Sequence, residues 1–567
     1  MSLSKAKLLA AASSLAMLPI SSFAADQTMF VNGSIWTAND ELPTAEAVVI
    51  EGDTITFVGT EADARTAAPV ASVVDLNGQM LMPGFHDTHI HTDWVAAAIA
   101  LKCDLSGKGT PEDVAAVIRA CDAELPEGEW LIGSGWALGA FEDAAPSREF
   151  IDSILPDRPF FAVAEDGHNG WANSKGFEMA GITKDTPDPE NGWILHTEDG
   201  ELQGTLREYA MFLFDDHIPV YDADDYAVAY REFMKAVNEK GITTVIDPWG
   251  TADNLGYATE VLEAGDATVR INFAMYVDPA YDGDLSEYSD WFAPEGDWIQ
   301  VDQIKYWLDG VYEAQTAATT EEYVGLGHKG KLFYDTEKLK DWTTQFEKMG
   351  YSIHMHAIGD RAVKQALDVL EHSRDSRGAE TNNRPYLAHG YHIDPADFDR
   401  IKAADATVNM TMLWRQNNDS MVYLNKPYLT KEIYESLMPA ADVIDAGINF
   451  AGGSDSPVGQ LNPLASIEVA VTGDVVPYFE GGYFWENQET WAGRKVALED
   501  MLKAYTIWAA VAEGDQDRLG SLEVGKKADL IVLEHDLFEI DPHSIYETKV
   551  TKTIVDGKVV FERKGSL

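Results

Sequence analysis

Cysteine, basic residues and long apolar runs are what this sequence has least of. Only Cys103 and Cys121 occur in 567 residues, and neither sits in a nucleophile-like motif, which argues against thiol catalysis. In an oxidising compartment the two could pair across the helical stretch Thr110 to Ala120. A disulfide and two free thiols both stay open. Lys and Arg number 42 against 95 Asp and Glu, a formal charge of −53 that repels nucleic acid and anionic lipid and excludes both as partners. The acids are spread along the whole chain, so adaptation to a salty habitat accounts for them better than a special cationic substrate does. Beyond the N-terminus no segment is apolar for long enough to span a bilayer, and there is no internal repeat or low-complexity tract.

The N-terminus reads as a secretory signal peptide over residues 1–24. Lys5 and Lys7 form its charged start, Leu8 to Leu18 its apolar core and Ser22-Phe23-Ala24 its cleavage site. The mature protein is expected in the periplasm or outside the cell. Residues 25–82 and 515–567 share a texture of short strands and Asn-Gly or Asp-Gly turns, and neither is large enough for its own core. Together they are expected to form one β-sandwich built from both termini.

Residues 83–514 read differently. Strand-like runs alternate with amphipathic helical patterns, giving eight strands: the opening one near Phe85, then Ile242 to Asp247, Val269 to Val277, Gln303 to Leu308, Ser352 to His356, Arg384 to His389, Ala406 to Met412 and Ile448 to Asp455. Helices are predicted at Ala223 to Lys240, Thr336 to Met349, Arg361 to His372, Pro395 to Ala404 and Lys431 to Ala446. This is the α/β pattern of a TIM (β/α)8 barrel, whose active site lies where the strands end. An insertion after the first strand, about residues 104 to 222, is expected over the mouth as a lid.

The chemistry collects at strand ends. Pro83-Gly84, the junction of sandwich and barrel, is followed by His86, Asp87, His89 and His91. In an extended strand alternate residues share a side, so His89 and His91 can chelate one ion, Asp87 supports them, and His86 points away to the surface or the barrel bottom. Lys305, His356, His389 and Asp455 come from other strand ends. Four imidazoles and a carboxylate converging suit zinc or a similar divalent ion. A bound ion with an open position lowers the pKa of water and creates a hydroxide nucleophile, whose proton Asp455 would take and pass to the leaving group. His354 is expected one layer deeper, as a buried, hydrogen-bonded histidine.

With these motifs in place, the chain resembles the metal-dependent amidohydrolase superfamily. Within it, it is similar to the amidohydrolase-3 branch, which includes N-substituted formamide deformylase and the exoenzyme regulatory proteins. The resemblance runs from Pro83–His91 through Trp130–Trp136, Asp166-Gly-His168, His356–Ala362 and Gly453–Val458 to Gly520–Leu530. It implies His89, His91, His356, His389 and Asp455 as ligands, with Lys305 as a carboxylated bridge. One or two ions are implied, two if Lys305 is carboxylated, since a plain ammonium would repel them.

His168 in the insertion, with Trp136, Trp249 and Trp414, is expected to touch substrate. Trp94, Trp307 and Trp171 are the other tryptophans placed at strand ends or in the lid, and such walls favour an apolar or aromatic group. Glu208 is read as an exposed helix-face glutamate, with a specificity role as the alternative. The expected reaction is hydrolysis of a non-peptide C–N bond in an N-substituted amide or N-acyl small molecule. A deaminase, or an ester or cyclic-amide hydrolase, would use the same apparatus. A non-catalytic regulatory protein on this scaffold is opposed by the full ligand set. A homodimer is compatible with this reading.

Overall fold

The computed structural model describes residues 27–219, 221–377, 383–417, 420–477, 490–491 and 493–564. Residues 1–24, expected above to be a signal peptide, lie outside the described residues. Eight parallel strands stand side by side in chain order. They are β1 (Phe85–Asp87), β2 (Ile242–Gly250), β3 (Arg270–Tyr276), β4 (Ile299–Trp307), β5 (Ser352–His356), β6 (Tyr386–Ala388), β7 (Thr407–Met410) and β8 (Phe450–Gly452). Apart from the partly exposed Trp249, Tyr276 and Ile299, all their residues are buried, as in a parallel sheet covered on both faces.

The barrel is nearly closed. Thr88 N–H donates to the Gly452 carbonyl at 3.2 Å, and Asp455 N–H to the His89 carbonyl at 2.7 Å. Asp87 Oδ1 accepts the N–H of Ser454 at 2.9 Å and of His89 at 3.3 Å, so the carboxylate expected to support the first strand also ties it to the last.

Helix Thr336–Met349 lies where the periodicity places it, capped by Asp335 and closed by Gly350 at φ 103°. The predicted strand Ile448 to Asp455 is cut back to β8, since Asp455 adopts φ 53° and cannot continue an extended ladder. The single helix expected over Lys431 to Ala446 is two, Lys431–Ser436 and Ala440–Asp445. Pro439 stands between them, with no N–H to extend the first. Helix Ala252–Glu263, capped by Thr251, carried no strong apolar period and went unmarked in the sequence.

Both chain ends enter one hydrogen-bonded sheet of eight strands. Met80–Pro83 pairs antiparallel with Leu530–Leu533 and parallel with Ser34-Ile35, joining the N-terminal strands to the C-terminal ones. Phe30, Val48, Leu81, Leu530 and Val532 share one buried cluster. The junction is tight: a Cβ on Gly84 would fall 2.4 Å from the Thr243 side chain, so glycine is required there.

A buried charge cluster fastens this sheet to the barrel. Arg270 of β3 meets Asp529 at 2.9 Å, Asp297 at 3.0 Å and Asp556 at 3.2 Å, while its guanidinium lies 4.7 Å from the Trp298 ring centre. Arg270→Met leaves Asp529 buried without its cation and is expected to cost about 3–5 kcal/mol, read as a fall in the denaturation midpoint. A midpoint within error of the wild type would rule out this fastening.

The insertion builds its own six-stranded sheet, from Cys103–Asp104 at one edge through Leu131–Trp136, Phe160–Ala164, Asn169–Ala172 and Leu202–Glu208 to Gly192–His196 at the other. Cys103 and Cys121 are joined in a disulfide that pins helix Pro111–Glu124 to the edge of this sheet. Among the described residues no helix is long and apolar enough to cross a membrane.

Candidate metal centre

His89, His91 and Asp455 converge at the barrel mouth. Their ligand atoms lie within 4.8 Å of one another, and all three residues are buried. Asp455 Oδ1 is 3.2 Å from His91 Nε2 and 3.4 Å from His89 Nε2.

The proton positions follow from a chain of contacts. Gln303 Oε1 can only accept, so His354 Nδ1, 3.1 Å away, carries the hydrogen. His354 Nε2 is then the acceptor for His89 Nδ1–H at 3.0 Å, and His89 Nε2 is left with its lone pair toward Asp455. His354 thus sits one layer deeper, as expected, and orients a candidate ligand instead of being one.

His356 and His389 close the other side, their ring centres 4.7 Å apart, with His389 4.6 Å from His89. His356 Nδ1 lies 3.2 Å from Asp309 Oδ1. Asp309 is itself held by the N–H groups of Ala318, Ile358 and Gly359. Burial holds His89 and His356 well below the ordinary histidine range and takes His389 down to about 3, so these imidazoles are neutral and keep a lone pair for a cation. Lys305 lines the same pocket, and burial brings its amine down to about 7.

The fit to a divalent ion is visible in what lacks a partner. His91 Nδ1, His389 Nδ1 and Asp455 Oδ1 are buried with no hydrogen bond. Leaving such atoms unmatched is costly unless something else uses them, and the set of imidazoles and carboxylate is zinc-like. Three residues of the site, Glu208, His389 and Asp455, hold positive φ of 51°, 73° and 53°. Non-glycine residues in this conformation concentrate where geometry is over-determined for function.

The insertion supplies the roof. His168 lies over the mouth, 5.7 Å from His356 and 5.0 Å from Trp307 between ring centres. Its Nδ1 is 2.7 Å from Glu208 Oε2, and Glu208 Oε1 accepts from Thr316 Oγ1. Burial alone would lower the His168 pKa, but the Glu208 carboxylate outweighs it and takes the imidazole up to about 9.

Glu208 is therefore no exposed helix-face residue. It is fully buried at the end of strand Leu202–Glu208, and the alternation of that strand turns it inward. His86 is also placed. It is not at the surface but buried at the other place expected for it, the bottom of the barrel, with its Nδ1 2.7 Å from Glu513 Oε2 of helix Ile507–Glu513, a residue that lines one cavity with Thr244, Asn272 and Gln300 near the starts of β2, β3 and β4. Trp249 and Trp414 line the pocket, as do Trp94 and Trp307. Trp414 stacks on His389 at 5.4 Å, and Trp249 on Tyr276 at 3.9 Å.

Trp136 does not reach the pocket. It is fully buried inside the insertion against Phe141 and Trp171, because its strand is apolar on both faces and turns that ring into the insertion's own core. Sequence reasoning missed Glu165 and Glu313, which also line the pocket. The carboxylate pair Glu165-Asp166 directly after the apolar run Phe160–Ala164 was the available signal for the first.

Comparison with known proteins agrees with this architecture. The family described as the amidohydrolase family matches residues 72–561. An N-substituted formamide deformylase of Arthrobacter pascens is 27% identical over 566 residues, covering 95% of this chain and 99% of its own. The protein LONG AFTER FAR-RED 3 of Arabidopsis thaliana is 28% identical, covering 94% and 91%. A crystal structure of a metal-dependent hydrolase of Pyrococcus horikoshii superposes with a TM-score of 0.71 at 21% identity, over 92% of this chain and 99% of that one.

Proposed function

The chain belongs to the amidohydrolase family, and from that premise we propose that it hydrolyses a non-peptide C–N bond in an N-substituted amide or N-acyl compound, with zinc or a similar divalent ion. The observation that carries this reading is the buried set His89, His91 and Asp455, within 4.8 Å and with its carboxylate oxygen unmatched. His89, His91, His356, His389 and Asp455 would hold one ion, or two with a carboxylated Lys305 as the bridge between them. When bound, the ion supplies Lewis acidity and acidifies water. Zinc is favoured by the donor set, and the formamide-cleaving relative supports the bond type.

The chain's own residues divide the remaining work. Asp455 Oδ1, facing the two imidazoles of the first strand, accepts a proton from the attacking water and returns it to the departing nitrogen. His168, held by Glu208, directs Nε2–H into the mouth, where it can meet oxygen charge building on the substrate carbonyl. Trp249 and Trp414 exclude water and seat an apolar or aromatic portion of the substrate. The sheet joining both termini is read as a sandwich around residues 83–514, and the leader over residues 1–24 as an export signal.

Purified protein with added zinc, assayed against N-formyl, other N-acyl, ester, cyclic-amide and amino-ring compounds, tests the reading. Amine release from N-acyl compounds is expected, and ammonia release from rings alone would replace it with deamination. Glu208→Gln removes the charge that holds His168 and is expected to lower kcat about 10²-fold with a smaller change in KM. An unchanged kcat would remove His168 from the reaction.

A further inference from the structure

Glu165 and Glu313 line the pocket but have no role in the chemistry described above. Glu165 belongs to the insertion and Glu313 to the segment after β4, yet both line the cavity that contains the metal-centre residues. Glu165 is 4% exposed. Its Oε1 accepts the Leu138 N–H at 2.9 Å, while its Oε2 is buried with no partner. Glu313 Oε1 accepts from Asn425 Nδ2 at 2.8 Å and from the Tyr391 hydroxyl at 3.3 Å. Among the described residues no lysine, arginine or histidine forms an ion pair with either carboxylate. The arrangement is expensive, because a buried carboxylate oxygen without a donor forfeits its hydration and a second carboxylate nearby raises the penalty. Burial first, then Asp166 and Glu313, push the Glu165 carboxyl up to about 8, so a cation bound beside it would also hold it ionised.

Aromatic faces stand around the same wall. A Cβ on Gly167 would lie 3.1 Å from the Trp94 ring, which places that ring beside the Glu165–His168 turn. Tyr391, bonded to Glu313, is 6.1 Å from Trp414 between ring centres. Carboxylates without a cation, enclosed by tryptophan and tyrosine faces, are complementary to an ammonium group, which gains from the ring quadrupoles and the charges together.

We propose that Glu165 and Glu313, with Trp94, Tyr391 and Trp414, form a subsite for a positively charged nitrogen at the end of the substrate remote from the scissile carbonyl. This narrows the substrate class to N-acyl compounds that carry an ammonium or quaternary ammonium group. It rests on the hydrolase reading of the same pocket. The net charge of −53 would draw such a substrate in from solution, as a separate long-range effect that salt screens.

The test uses the metal-loaded full chain and two probes of one shape, choline and its neutral isostere 3,3-dimethylbutan-1-ol. Binding is followed by tryptophan fluorescence in about 1 M salt, where a Debye length of about 3 Å removes the general surface field. Choline is expected to bind at least about tenfold more tightly, and Glu165→Gln and Glu313→Gln each to erase most of that preference. Equal affinity of the two probes for the wild type overturns the subsite without recourse to any variant. A kinetic arm compares two N-formyl amines, one ending in trimethylammonium and one in tert-butyl. If neither is hydrolysed while choline is still preferred, the reaction assignment fails and the subsite stands. If both are hydrolysed with equal kcat/KM and choline is not preferred, the reaction stands and the subsite falls.

Discussion

Asp455→Asn is expected to lower kcat/KM by about three to four orders of magnitude, the upper range for removing a positioned general base. Asparagine keeps the shape of aspartate and can still place an oxygen between the two imidazoles, but its amide accepts no proton at working pH. In the wild type Asp455 Oδ1 faces His89 and His91 at 3.4 and 3.2 Å, and its position is enforced by the N–H bond to the His89 carbonyl and by φ 53°. Burial acts to raise its pKa, but His91 and the other imidazoles, with Lys305, hold it below the ordinary carboxylate value, so it is ionised and ready to accept. A loss of this size is about 4–5.5 kcal/mol of transition-state stabilisation. Metal content measured on the same variant separates two causes of the loss. Retained metal with lost turnover assigns Asp455 to proton transfer, and lost metal assigns it to ligation. Activity within tenfold of the wild type would exclude both roles.

Removing bound metal with a chelator is expected to abolish turnover and to lower the melting temperature, with both restored by zinc. Activity depends on the ion because, among the described residues, the pocket lining includes no serine or cysteine nucleophile. Stability depends on it because an ion that binds only the folded state contributes RT ln(1 + [L]/Kd), about 4 kcal/mol at a thousandfold excess over Kd. The donors are preset for it: His89 and His356 are neutral through burial, and the Gln303–His354–His89 chain fixes which nitrogen of His89 faces inward. If stripped protein keeps both its melting temperature and its turnover, the metal reading of this centre is wrong.

Much of the barrel was legible because its strands and helices announce themselves locally. Ser352–His356 and Thr336–Met349 have the bounds expected of them, the strand because its short run is buried throughout and the helix because it buries one regular face. The spacing of His89 and His91, and the histidines at the ends of β5 and β6, are also local facts. Once a parallel barrel is assumed, strand ends must share one mouth.

What sequence could not reach was set by contacts between distant segments. That Trp136 belongs to the insertion was readable, but whether its ring meets the pocket or the insertion's own core depended on how six insertion strands pack. Glu208 looked like an ordinary surface glutamate until the end of its strand met His168 and Thr316. The acidic residues gave the same lesson in reverse. Spread evenly along the chain, they pointed to solvation alone and away from a cationic substrate. Folding then encloses Glu165 and Glu313 in one aromatic-walled pocket where, among the described residues, no basic side chain forms an ion pair with them. Local periodicity decides which face of an element is buried, whereas the company a buried charge keeps is decided by which elements meet, and only the tertiary structure specifies that.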